Sequence, residues 1–289
     1  MSLPEVVSRA ERLAARKRLL AEEKALTRAR DRVNAERRRL PMVRVEKDYV
    51  LHGPHGEVGL LNLFEGRRQL VVHHFMWTYD LDEDGNEHPR DVGCPSCSAT
   101  ADDIGELTQL HVRGTTLAAV SRGPYEKIAA FRERMGWEFP WYSSEGSDFN
   151  HDFHATLDER VAPVLLNFRD EAELQRNGMP WGPRMRGDYP GISAFLRDGD
   201  EVFHTYSAFA RGIELAGSTA FYLDLTALGR QEAWEEPKGR AESLGLQAGG
   251  RSCASTTSTE TACSSRGRRR GALYGSARLE RQVPRGRGR

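Results

Sequence analysis

Two cysteines, Cys94 and Cys97, stand two residues apart in the stretch Gly93-Cys94-Pro95-Ser96-Cys97-Ser98. Sulfurs at this spacing, at the start of a helix, can close a small disulfide with little backbone movement. The first turn of a helix carries unpaired N–H groups and a partial positive charge, and both favour thiolate. In such a place a cysteine pKa falls from about 8.5 to about 3.5–7.5. Cys94, at the loop end, is expected to be the exposed nucleophile. Cys97, one turn further in, is the expected resolving thiol, which attacks a mixed disulfide and releases the reduced partner. Pro95 removes a backbone donor that would otherwise face the Cys94 sulfur, and Ser96 offers a weak hydrogen bond in its place.

Zinc competes for such a pair, but Cys-x-x-Cys supplies only half of a tetrahedral site. The remaining cysteines, Cys253 and Cys263, lie far off in the tail and make a poor second half. No metal and no cofactor beyond the redox-active cysteine pair is therefore expected. His73 and His74 alternate faces of one apolar run. His151 and His154 fall with Asp148, Asn150 and Asp152 in a segment that reads either as a ligand or base cluster or as a turn network. Trp77 and Tyr79 precede the motif and are expected either as an apolar lip for substrate beside the sulfurs or as plain core.

These residues need a scaffold. Residues 4–39 read as a long helix that bends near Thr27, with Ser2 as a cap and Pro4 in the first turn. A strand is expected from Val43 to Leu51 and a buried strand from Leu70 to Trp77, followed by an acidic loop from Thr78 to Asp91. The motif then opens a helix from Ser98 to Val112. Thr115 to Ser121 reads as a buried strand, Pro124 to Met135 as a helix closed by Gly136, and Trp137 to Tyr142 as a strand-like aromatic run. Residues Ser143 to Tyr189 read as an insertion with a strand candidate at Val161 to Phe168. Ile192 to Arg197 and Val202 to Phe209, joined by Asp198-Gly199-Asp200, carry a strong hairpin signal. A last helix is expected from Gly212 to Leu228.

The 289 residues carry a formal charge of zero, which conceals an asymmetry. Residues 251–289 hold ten Arg and two Glu, so the rest of the chain is mildly acidic. That gives no electrostatic reason to expect nucleic acid as a partner. No run reaches the ~18 apolar residues of a membrane span, and the charged N-terminus lacks a signal-peptide core. The expectation is a cytoplasmic protein without a membrane partner, in a compartment where a close cysteine pair is catalytic rather than structural. The organisation expected is a helical extension over 1–40, which packs on the domain or makes a homodimer, an α/β domain over 41–237, and a disordered tail over 238–289.

Strand, Cys-x-x-Cys, helix, strand, helix, then a proline and a hairpin is the element order of the thioredoxin fold. Cys94-Pro95-Ser96-Cys97 resembles the redox motif of thioredoxins and glutaredoxins, and Pro190 matches the place of that fold's cis-proline beside the substrate. Phe139-Pro140-Trp141-Tyr142-Ser143-Ser144 resembles the strand after the second crossover helix in peroxiredoxin-like members, but Asp91 stands where the peroxiredoxin motif needs threonine. More closely, the chain resembles a bacterial thioredoxin-like family catalogued as a domain of unknown function and described as predicted dithiol-disulfide oxidoreductases. The stretches that carry this are Leu40 to Tyr49, Gly93 to Ser98, Met135 to Trp141, Gly146 to Asn150, and Phe203 to Ser207 with Arg211-Gly212. The resemblance implies a thiol-disulfide oxidoreductase acting on protein or small-molecule thiols and disulfides. The alternatives are a non-catalytic thioredoxin-like binding module and a peroxidase without the standard motif.

Overall fold

A computed structural model describes residues 6–213 and, beyond them, residues 222, 223, 226, 228, 229, 231, 235, 236 and 238. The chain divides into the units Met1–Cys253 and Ala254–Arg289, and every described residue belongs to the first. The expectations for Ser2, for most of the last helix, for the tail, and for Cys253 and Cys263 lie outside the described residues.

The first helix, α1 (Arg9–Arg39), begins at Ser8, whose hydroxyl accepts the Glu11 N–H while the Glu11 carboxylate accepts the Ser8 N–H. This reciprocal cap sets the start. The helix runs unbroken through Thr27, where a bend is expected from its length. The Thr27 hydroxyl instead donates back to the Glu23 carbonyl within the turn. Burial is confined to Asn34, Ala35 and Arg38 near its end.

Short strands follow: β1 (Val43–Arg44), then a hairpin of β2 (Val50–Gly53) and β3 (Gly56–Gly59) in place of the single strand expected to Leu51. The central strand β4 (Gln69–His74) is buried at every position, as a strand covered on both faces must be. The expected acidic loop is a second hairpin, β5 (Trp77–Leu81) and β6 (Glu87–Gly93). Its turn is tied by Asp82, whose carboxylate accepts N–H groups from Asp84 and Asn86. Charged residues on both sides of this ribbon erase the alternation that announces a strand. The motif helix is shorter than expected, α2 (Pro95–Asp102), and a separate turn, α3 (Thr108–His111), completes the segment.

Then come β7 (Thr115–Ser121), α4 (Tyr125–Met135) between Pro124 and Gly136, and β8 (Trp141–Ser143). The insertion holds α5 (Phe149–Asp152), β9 (Thr156–Leu157), α6 (Glu171–Arg176) and β10 (Gly187–Asp188). Val161 to Phe168 is not a strand. It ends in a tight turn in which Leu166 and Arg169 exchange backbone hydrogen bonds. The final hairpin is β11 (Gly191–Asp198) with β12 (Glu201–Phe209).

The main sheet runs β1-β12-β11-β4-β7-β8-β2-β3, with β4, β7 and β8 parallel and β11 antiparallel to β4. Two parallel strands joined through the motif helix, then an antiparallel hairpin on the other side of the first strand, is the thioredoxin connectivity. The fold is α/β and thioredoxin-like, with a long N-terminal helix and an insertion before β11. Apolar clusters cover both faces. Cys97, Ala101, Ile128 and Phe131 lie on one, and Leu63, Phe64, Phe149 and Phe153 on the other. No helix among the described residues is long and apolar enough to cross a membrane.

Candidate active site

The thiols stand where β6 hands over to α2. Cys94 is the N-cap of that helix, with extended backbone, and Pro95 occupies its first turn. A proline fits there because its missing N–H would have no helical partner anyway. The Cys94 N–H donates to the Met76 carbonyl at 3.0 Å, which pins the cap to the link between β4 and β5. The Ser98 N–H and hydroxyl both donate to the Cys94 carbonyl, at 2.9 and 3.0 Å. Cys94 is half-buried and Cys97 is 2% exposed, and both are thiols. The Ser96 side chain lies outside what the structure describes.

Burial pushes the Cys97 thiol up to about 12, the charge and hydrogen bond of Cys94 push the same way, and a bond from the Met76 backbone opposes them. Asp188 adds to the upward shift. Its carboxylate is 6% exposed and is the polar knot of the site. It accepts from Arg122 Nε at 2.6 Å, from the Thr156 hydroxyl at 2.7 Å and from the Trp77 N–H at 3.4 Å. The Arg122 guanidinium in turn covers the Tyr79 ring at 5.0 Å and pairs with Glu87 at 3.1 Å. Arg122 and Asp188 carry no sequence signal. They are 66 residues apart and meet only because β7 ends beside the strand that precedes β11.

Pro190 follows this knot and directly precedes Gly191, which pairs with His74 at the end of β4. The thiol loop and Pro190 therefore leave the sheet at the same end. Of the two places expected for Trp77, the structure shows the core one. Trp77 is 4% exposed, and its indole N–H donates to the Arg90 carbonyl at 2.9 Å. Its ring lies so close to Gly123 that a Cβ there would stand 2.6 Å from the indole. Trp77 is thus a wall behind the thiols, not an open lip for substrate. Pairing with Gly93 across the β5–β6 ribbon draws it inward.

His73 and His74 point to opposite faces of β4, and His73 packs against Phe75 of the cluster that holds Cys97. His74 lies on the opposite sheet face, bonded to Asn150 and Ser193. His73 is fully buried, and neither ring nitrogen has a hydrogen-bond partner among the described residues. Asp148 and Asp152 bind Lys47. Asp91 is at the surface, paired with Lys127 at 2.7 Å. Among the described residues, no three His, Cys, Asp or Glu side chains converge as a metal would require.

Residues 1–248 match the family model described as "Bacterial protein of unknown function (DUF899)". The chain belongs to this family. No curated protein matches this DUF899 member. Among solved structures it is similar to a cysteine-to-serine mutant of peroxiredoxin Q from Xanthomonas campestris, at 12% identity and TM-score 0.39, covering 60% of this chain and 87% of the other. It is also similar to peroxidoxin BcpB from Mycobacterium tuberculosis, at 13% identity and TM-score 0.38, covering 62% and 94%. A third is a putative thiol:disulfide interchange protein DsbE from Chlorobium tepidum, at 12% identity and TM-score 0.31, covering 59% and 86%. The fold assignment rests on the strand connectivity.

Proposed function

We propose that this DUF899 member is a dithiol-disulfide oxidoreductase, with Cys94 as nucleophile and Cys97 as resolving thiol. The observation that carries the reading is the pair's asymmetry, a half-buried sulfur at a helix N-cap and a buried one a turn behind it. The Cys94 thiolate attacks one sulfur of a substrate disulfide, forming a mixed disulfide and releasing the other sulfur as a thiolate that takes up a proton. Cys97 then gives up its proton and attacks the Cys94 sulfur. The Cys94–Cys97 disulfide forms, the second substrate thiol leaves, and two electrons have passed to the substrate. An external dithiol must reduce the pair before the next cycle.

The order of steps follows from the electrostatics. Burial is the largest cause of the raised Cys97 pKa, but the Cys94 charge contributes to it. Formation of the mixed disulfide discharges Cys94 and so favours ionisation of Cys97 at the moment it is needed. Pro190, whose place matches the fold's substrate-side proline, offers extended backbone for a substrate strand to pair with.

The test is trapping. Cys97→Ser, reacted with a disulfide-bonded protein such as oxidised insulin, is expected to accumulate a mixed disulfide through Cys94, and Cys94→Ser is expected to be inert. Equal labelling of both variants, or none of either, sinks the reading in favour of a non-catalytic module. In single-turnover experiments with wild type, release of the second product should speed up as pH rises through the neutral and alkaline range, because the resolving thiol must ionise.

A further inference from the structure

A cleft of about 320 Å³ lies on the sheet face opposite the thiols. It is walled by the segment from Val43 to Tyr49, by the end of α5 and by β12. Three features there are independent of the redox pair.

The first is the aim of His204. In a regular strand, residues three apart point to opposite faces. In β12 the register slips between Ala194 and Phe195, so that Thr205 is an extra residue without a partner across the ladder. The Thr205 hydroxyl, donating to the Ala194 carbonyl at 3.0 Å, holds this bulge. The slip brings His204 and Ser207 to one face, and they bond at 2.8 Å. Bulges re-aim side chains in this way beside functional sites.

The second is a buried chain of hydrogen bonds that fixes the His204 tautomer. The Tyr206 carbonyl, 3.1 Å from His204 Nε2, can only accept, so Nε2 carries the proton. Nε2–H also donates to Ser207, Ser207 donates to Ser193 at 2.8 Å, and Ser193 donates to His74 Nε2 at 2.9 Å. His74 Nδ1–H ends the chain on the Asn150 side-chain oxygen at 3.2 Å. Both ends agree on the direction. His204 Nδ1 is left with a lone pair and no partner among the described residues, on a residue that lines the cleft. His154, also in the wall, has a buried Nδ1 likewise without a partner among the described residues.

The third is strain. Asn167 and Phe168, at φ 48° and 64°, form the two corners of the Leu166–Arg169 turn, and His154 sits at φ 55°. The second corner of such a turn is a glycine position. Here it holds a bulky ring, 56% exposed, standing edge-to-face with Phe209 at 5.4 Å across the cleft wall. Strain of this kind clusters at ligand clamps. The wall's cations are committed, Arg44 to Glu201 and Lys47 to Asp148 and Asp152.

We propose that this cleft binds a neutral phenol, its ring held by Phe168, Phe209 and Phe153 and its hydroxyl donating to His204 Nδ1. Aromatic walls select a planar apolar body, the lone pair selects a hydrogen-bond donor, and paired cations offer nothing to an anion.

The probe is 4-nitrophenol, titrated against the full chain at a pH where the free phenol is partly ionised. Saturable binding should bleach the phenolate colour, because the site takes the protonated form. 4-Nitroanisole, which has no hydroxyl to donate, should bind about tenfold more weakly, the worth of one good hydrogen bond. His204→Phe should lose about as much. Phe168→Gly, which relieves the turn, should fold at least as stably and bind several-fold more weakly. Absence of saturable binding, equal affinity for nitrophenol and nitroanisole, or wild-type affinity in either variant overturns the proposal.

Discussion

His73 shows how much a single residue can reveal about a core. Its imidazole is fully buried among apolar neighbours, and both nitrogens lack partners among the described residues. An unsatisfied buried polar group costs about 1–3 kcal/mol, whereas an apolar group of similar shape costs nothing comparable. His73→Leu should therefore raise stability at neutral pH by about 1 kcal/mol, read as a higher urea midpoint with unchanged slope. A fall in the midpoint would mean that the ring is held by a bond. The sequence shows two adjacent histidines on an apolar run. It does not show that one finds Asn150 and Ser193 while its neighbour finds nothing, since those partners come from segments 76 and 119 residues away from His74. The cysteine pair is legible for the opposite reason. Its chemistry is local, two sulfurs and a helix start within a few residues.

At the scale of elements, the β5–β6 hairpin sets the thiols in place. Gly93 closes β6 immediately before Cys94, and a Cβ there would stand 2.4 Å from the Phe75 ring. Gly93→Ala must push the ribbon or the ring aside, and with it the Cys94 N–H that holds the Met76 carbonyl. It is expected to melt earlier than wild type and to trap fewer mixed disulfides in the Cys97→Ser background. Thiol alkylation kinetics and a melting curve check both. In sequence this hairpin reads as a loop because charges occupy both of its faces. The β12 bulge is hidden for a related reason, since a strict period of two sends His204 and Ser207 to opposite sides. Elements with clean periodicity are visible in sequence, as β7, α4 and the β11–β12 hairpin show. Elements whose geometry departs from the regular repeat, the β5–β6 ribbon and the β12 bulge, are not.

At the scale of the molecule, stability should depend on acidity in a defined window. Burial lowers His73 to about 4 and His74 to about 3, from an ordinary value of 6.5. Both stay neutral in the folded chain while the unfolded chain takes up protons below 6.5. Stability is then full above that pH and falls as pH drops towards 4, by about 1.4 kcal/mol per unit for each histidine. Denaturant midpoints at pH 7.5 and pH 5 test this, and His73→Leu should remove one histidine's share of the slope, the rest staying with His74 and with His111, His154 and His204, which burial also lowers. The sheet order has a consequence of another kind, for the time the chain takes to assemble. β4 waits for β7, with Gln69 opposite Thr115, and then for β11, with His74 opposite Gly191. Pairings so distant along the chain form slowly. Cys97 shares its apolar cluster with Val71, Leu117 and Ile192, one residue from each of those three strands. Until the last strand docks, one wall of that cluster is missing, and the sulfur is expected to stay reachable from solvent. In a refolding experiment with pulses of alkylating reagent, Cys97 should become protected only in the slowest phase, while Cys94 stays reactive throughout. The thiol proposed to resolve the mixed disulfide would then double as a clock for the closing of the sheet.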